Sequence, residues 1–184
     1  MSDNIWFTSD THFFHKKIIE FCPETRQGSD VLEMNELIKQ AWNNRVKPGD
    51  RIYHLGDFSF GKPEATRDFM EGLNGSIHLV KGNHDGSNML GQISDKFASI
   101  STYKVVRVSD LYISLFHFPI ESWDRMHHGA IHLHGHLHGD DHHTCRVLKN
   151  RMDVGVDCRE EKDMAPFHLD EVLAILNKRN AELP

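Results

Sequence analysis

Apolar and polar positions along the 184-residue chain recur at two periods, and these lay out its elements. Ile5 to Thr8 is a short β-prone run that gives way to a polar loop at Asp10. Val31, Met34, Leu37, Ile38, Ala41 and Trp42 then follow the spacing of a helix with one buried face. Asp30 and Glu33 precede that face at the spacing of a reciprocal capping pair. The Pro48-Gly49 turn leads into a second strand, Arg51 to Leu55, which ends at Gly56-Asp57. Pro63 suits the first turn of a helix reaching about Leu73 and closed by Gly72 or Gly75. Ile77 to Val80 is a third strand, ending at Gly82-Asn83-His84-Asp85. Tyr103 to Val108 and Leu111 to Phe116 predict a hairpin through Ser109-Asp110. Ala130 to His134 and Arg151 to Gly155 predict two further short strands. Leu169, Val172, Leu173 and Leu176 place a closing amphipathic helix after Pro166.

Strands alternating with helices early and a β-rich stretch later define an α/β layered fold. No repeat, linker or low-complexity tract interrupts the pattern, so residues 1–184 read as a single domain. The length suffices to bury a real core. In such folds the loops at the carboxyl ends of strands converge on one sheet edge, where ligands bind.

Composition narrows the function. The chain is 39% hydrophobic and 26% charged, which is globular. Its formal net charge is -6 and no stripe of Lys or Arg appears, so stable binding of long nucleic acid is not expected. Turnover of nucleotides is not excluded by that argument. Cys22, Cys145 and Cys158 are odd in number and far apart, which points to free thiols in a reducing compartment. No basic-then-apolar leader opens the sequence and no apolar stretch matches a bilayer, so a cytoplasmic protein without a membrane partner is expected. Fifteen histidines raise the question of a metal, though composition alone gives that only weak support.

Position gives it more. Asp10-x-His12, Gly56-Asp57, Gly82-Asn83-His84-Asp85, the lone His117 and Gly135-His136-x-His138 each stand where a predicted strand meets a loop. On extended backbone, Asp10 with His12, and His136 with His138, are spaced to grip an ion as neighbours. Asp57 as a shared carboxylate would use one oxygen per ion and hold two ions ~3.5–4 Å apart. Asp10, His12, Asp57 and His138 then fill one site, and Asp57, Asn83, His117 and His136 the other. The mixed oxygen and nitrogen donors suit Mn²⁺, Fe or Zn²⁺. His84 is left over as a general acid, with Asp85 able to orient it.

This ordered set resembles the calcineurin-like metallophosphoesterase superfamily over roughly Ile5 to Gly139. The resemblance implies two mixed β-sheets packed face to face with flanking helices, a four-layer αββα sandwich. It implies the same two ligand sets for two divalent ions, Mn foremost and Fe, Zn, Ni or Mg as alternatives. It gives His84 and Asp85 the catalytic roles, and a small phosphodiester or nucleotide-type phosphoester as substrate. Val154-Gly155-Val156-Asp157 also resembles a segment of small members, with no role assigned to Asp157. Phe116 before His117 departs from the small residue common there. Gly56-Asp57-Phe58-Ser59-Phe60-Gly61 and Asn83-His84-Asp85 set the chain apart from the protein phosphatases.

Three alternatives stay open: a phosphomonoesterase of the same fold, a catalytically silent metal-binding module, and a metallo-β-lactamase-like reading. The last rests on His136-x-His138-x-Asp140, has Asp141 in place of the final histidine, and leaves the first two motifs unexplained. Of the other histidines, His15 is a candidate support for the site or a solvent residue. His54 and His78 read as satisfied sheet residues, His127, His128, His132 and His134 as loop or strand residues with one candidate phosphate contact. His142 and His143 read as surface, and His168 as the start of the last helix.

Overall fold

The computed structural model describes residues 4–139 and 148–183. Expectations for Asp140, Asp141, His142, His143 and Cys145 lie outside the described residues.

The first sheet has five strands in the order β4-β3-β2-β1-β9. They are β1 (Ile5–Thr8), β2 (Arg51–His54), β3 (Ser76–Val80), β4 (Ser99–Ser101) and β9 (Phe167–His168). The first four pair in parallel, and β9 runs antiparallel against β1. Each parallel strand lies beside its predecessor, so the connecting helices share one face. These are α2 (Val31–Arg45), α3 (Pro63–Met70) and α4 (Ser87–Ile93), preceded by the four-residue α1 (Ile18–Phe21). Their buried side chains, Met34, Ile38, Trp42, Met70, Leu90 and Ile93 among them, pack on Ile52, Ile77 and Leu79.

The second sheet runs β5 (Tyr103–Val108), β6 (Leu111–Phe116), β7 (Ile131–His134), β8 (Arg151–Asp153), with an antiparallel β5–β6 hairpin and parallel pairs beyond it. Its Ile113, Leu115, Ile131, Leu133 and Met152 meet Ile5, Phe7, Tyr53, Leu55 and Val80 of the first sheet. The two mixed sheets therefore pack face to face. The closing helix α5 (Leu169–Glu182) sends Val172 and Leu176 into this same core. Over the far face of the second sheet lies irregular chain. Trp123 donates to the Ala130 carbonyl at 3.0 Å and tilts over the His132 ring at 5.4 Å. That stretch holds one 3-10 turn, Met126–His128.

Asp30 caps α2 by accepting from the Leu32 and Glu33 N–H groups at 2.8 and 2.9 Å. Glu33 turns instead to the Ser29 N–H and hydroxyl, so the expected reciprocal pair is displaced by one residue. A complete box forms at α5, where His168 Nδ1 accepts from the Asp170 N–H and Glu171 accepts from the His168 N–H at 2.7 Å. The helix after Pro63 ends at Met70, three residues before the expected Leu73.

No described helix is long and apolar enough to cross a membrane.

Candidate metal centre

The loops following β1, β2, β3, β6, β7 and β8 all leave the carboxyl ends of parallel strands, and the sequence-predicted residues sit on them. They do so on bent backbone. Asp10, His12, Asp57, His136 and His138 all have positive φ, between 47° and 75°. Such left-handed conformations cost about 1–3 kcal/mol each in non-glycine residues and gather where the surroundings enforce a site. The expected extended spacing of Asp10 with His12, and of His136 with His138, is thereby corrected. The bends send His138 toward His12, their ring centroids 5.0 Å apart. His136 goes the other way, 5.2 Å from His117 and 4.6 Å from Phe118.

Close packing of these loops leaves no room for side chains between them. A Cβ at Gly135 would overlap Ser9 Oγ and Asp10 Oδ2, and one at Gly82 would overlap Asp57 Oδ1. The His136 N–H donates to Asp10 Oδ2 at 2.9 Å and the His84 N–H to Asp57 Oδ1 at 2.8 Å. One oxygen of each carboxylate is thus tied to backbone and the other is turned inward.

Those inward atoms converge. Asp57 Oδ2 lies 3.6 Å from His12 Nε2, 3.6 Å from His117 Nε2 and 4.0 Å from His84 Nε2. Asp10 Oδ1 lies 3.8 Å from His12 Nε2 and 3.9 Å from His138 Nε2. Asp10, His12 and His138 form one convergent group of metal-ligating atoms, and Asp10, Asp57 and His117 a second. Asp10 thus belongs to both groups, a sharing that had been expected of Asp57 alone. The His136 ring stands beside the second group without joining it.

The donor chemistry of these groups fits cations. Asp10 Oδ1 and His12 Nε2 are buried with no hydrogen-bond partner, an expensive arrangement unless an ion satisfies them. His117 Nδ1 is 2.7 Å from the Leu55 carbonyl, which only accepts, so a neutral ring carries its proton there. Its Nε2 lone pair then points at Asn83 Oδ1, 2.9 Å away, and at Asp57 Oδ2. Three acceptors facing one another without a donor call for positive charge between them. Burial pushes the Asp10 carboxyl up, but the neighbouring imidazoles of His12, His138 and His117 outweigh it and hold Asp10 well below the usual carboxylate range.

Asp85 does not play its expected part. Its carboxylate accepts from the N–H groups of Asp57, Phe58 and Gly82 at 2.9, 3.0 and 2.8 Å, which leaves it pinning the second and third loops together instead of orienting the His84 ring. Burial pushes its pKa up despite these bonds. His84 stands at the mouth with half its side chain exposed.

Two residues escaped the sequence. Arg26 is buried, pairs with Asp157 through Nε and Nη2 at 2.8 and 2.7 Å, and donates to the Thr11 and Asp10 carbonyls. Asp157 in turn accepts from His138 Nδ1 at 2.7 Å, which fixes that ring's tautomer and turns Nε2 toward Asp10. A lone arginine between two helices gives no local signal, and the Asp157 segment gave only the resemblance. Asp157→Asn is expected to weaken metal binding about 10–100-fold and to lower the Tm, since Arg26 would keep a buried charge without its counter-charge. Competition against a chromogenic chelator measures the first effect; affinity within twofold of the parent would remove Asp157 from the support of the site.

His15 lies 3.1 Å from His12, Nδ1 to Nδ1, so it touches the site. Burial and the neighbouring imidazoles push its pKa down to about 4. His54 bonds Thr11 Oγ1 at 2.9 Å and His78 bonds Ser99 Oγ at 2.7 Å, as satisfied sheet residues should.

A two-sheet α/β sandwich whose strand-end loops gather carboxylates and imidazoles about a cation site defines the class. The chain belongs to the calcineurin-like phosphoesterase superfamily, whose domain matches residues 4–152. With that membership it is a metal-dependent phosphoesterase. It is 32% identical over 179 residues to the uncharacterized protein MJ1445 of Methanocaldococcus jannaschii, covering 95% of this chain and 92% of that one. The gene 66 protein of Mycobacterium phage L5 is 28% identical over 183 residues, covering 84% and 86%. Among solved structures, the protein of unknown function AQ665 from Aquifex aeolicus superposes with a TM-score of 0.70 at 25% identity, covering 94% of this chain and 99% of that one.

Proposed function

We propose that this chain hydrolyses a small phosphodiester or nucleotide-type phosphoester at a centre of two divalent ions. The observation that carries the reading is Asp57 Oδ2 standing 3.6 Å from both His12 Nε2 and His117 Nε2, beside the unpartnered Asp10 Oδ1. Asp10, His12, Asp57 and His138 would hold one ion, and Asp57, Asn83, His117 and His136 the other. Their oxygen and nitrogen donors favour Mn²⁺, with Fe, Zn, Ni or Mg as alternatives. When bound, such ions polarise a phosphoryl oxygen and lower the pKa of water.

The protein's own contribution is positional. Backbone N–H groups of His136 and His84 lock the carboxylates of Asp10 and Asp57 in place. Leu55 and Asp157 set the tautomers of His117 and His138, so each presents Nε2 inward. Asp85 and Arg26 brace the loops from behind. His84, exposed at the mouth, would give a proton to the leaving oxygen. The free thiols of Cys22 and Cys158 favour a reducing compartment, and with it the cytoplasm.

The protein stripped with chelator and resupplied with Mn²⁺, Zn²⁺ or Mg²⁺ is expected to hydrolyse a chromogenic phosphodiester, and to do so faster than the matching monoester. A faster monoester would move the substrate to that class. Two bound ions per chain with neither ester cleaved would make the chain a silent metal-binding module.

A further inference from the structure

Beside the metal centre lies a cleft of 690 Å³, lined by His12, His84 and His138 on one side and by Phe60, Phe21 and His15 on the other. That size falls within the roughly 300–1,000 Å³ of sites that take small organic ligands. Phe21 is 67% exposed and Phe60 41%, and both of these exposed phenyl rings open onto this one cleft. Water-facing phenyl rings gathered at one place mark a binding surface.

The shelf they form is built and held. Phe60 follows Asp57 in the same loop, and its N–H donates to the Phe13 carbonyl at 2.8 Å. The next residue is tied down as well, the Gly61 N–H donating to Ser59 Oγ, which meets Thr66 Oγ1 at 2.8 Å. The Phe60 ring stacks on His15, 4.1 Å between centroids and 11° between planes. His15 is fixed in turn against His12, and Phe21 meets it edge-on at 6.3 Å. Phe60 is 5.1 Å from the His12 ring and 5.0 Å from the His84 ring. The phenyl ring of Phe60 therefore stands within one ring's reach of a phosphate held between His12 and His84.

Charge limits what that substituent is. Among the described residues no Lys or Arg lines the cleft, and its one carboxylate is Glu24. Additional phosphates or a long polyanion would find no counter-charge there.

We propose that the substrate is a single-phosphate ester bearing a planar aromatic group of nucleobase type, which stacks on Phe60 and Phe21. This rests on the phosphoesterase reading above and names its substrate class. Stacking of a base on an aromatic side chain corresponds to about 5- to 150-fold in binding.

The test compares thymidine 5′-(p-nitrophenyl phosphate) with methyl p-nitrophenyl phosphate, which release the same phenolate, on the Mn²⁺-loaded protein. The thymidine ester is expected to have a kcat/KM at least tenfold higher, and that ratio should fall toward one in Phe21→Ala and in Phe60→Leu. A ratio near one in the parent, with both esters cleaved, would overturn the shelf and leave the phosphoesterase reading standing. If neither ester is cleaved that reading fails, and calorimetry of adenosine 5′-monophosphate against ribose 5-phosphate still decides the shelf. Tighter binding of the nucleotide, lost in the two variants, supports it; equal binding overturns it.

Discussion

Asp57→Asn is expected to lower phosphoester hydrolysis by about 10³-fold or more and to reduce metal content while the protein stays folded. The substitution is nearly isosteric, and Asn tolerates the left-handed backbone found here at φ 55°. Its side-chain oxygen can still accept the His84 N–H, as Asp57 Oδ1 does at 2.8 Å. The amide nitrogen then takes the place of Oδ2, the atom 3.6 Å from both His12 and His117. A negative acceptor facing His12 and His117 becomes a neutral donor, so in the proposed pair one ion would lose one of its two carboxylates and the other its only one. Because Asp10 and Asp57 are buried together, removing one charge relieves repulsion in the stripped protein. Its Tm in chelator should therefore equal or exceed that of the parent, while the gain in Tm on adding Mn²⁺ should shrink. Metal analysis, thermal melts with and without chelator, and turnover of a phosphodiester measure the three effects. Activity within tenfold of the parent with two ions still bound would show that Asp57 is not the shared ligand.

The sequence and the structure agree best where chemistry resides in residue type. Asp10, His12, Asp57, Asn83, His117 and His138 are all brought together, because few other side chains give a strand-end loop anything for a cation to hold. Long periodic elements were equally legible, α2 through its apolar stripe and the β5–β6 hairpin to the residue. The short pieces were not. β9 has two residues and β4 three, too few to show a period, and each is defined only by the neighbour it pairs with. Directions of side chains were the other loss. Spacing on extended backbone predicts that His136 and His138 point the same way, whereas left-handed turns at both send them to opposite groups. Asp85 next to His84 suggested an oriented acid, yet three unsatisfied N–H groups on two loops compete for that carboxylate and win. Arg26 and Asp157, 131 positions apart, meet only through the tertiary fold.

His84→Ala should leave metal content near that of the parent and cut turnover by about 10²–10⁴-fold, the usual contribution of a positioned general acid. The ring is half exposed, so its removal opens no buried cavity and the Tm should stay within a degree or two of the parent. The backbone N–H that holds Asp57 survives the substitution, so the ligand geometry survives with it. The size of the effect depends on what leaves. p-Nitrophenolate departs without a proton and hides the loss, whereas an alkoxide needs one. A series of phosphodiesters with leaving groups of rising basicity should therefore give a steeper decline in kcat for the variant than for the parent, the two lines meeting near the nitrophenyl ester. Parallel lines would mean that His84 binds the phosphate without protonating the leaving oxygen. Equal turnover on the alkyl esters would remove it from the reaction altogether.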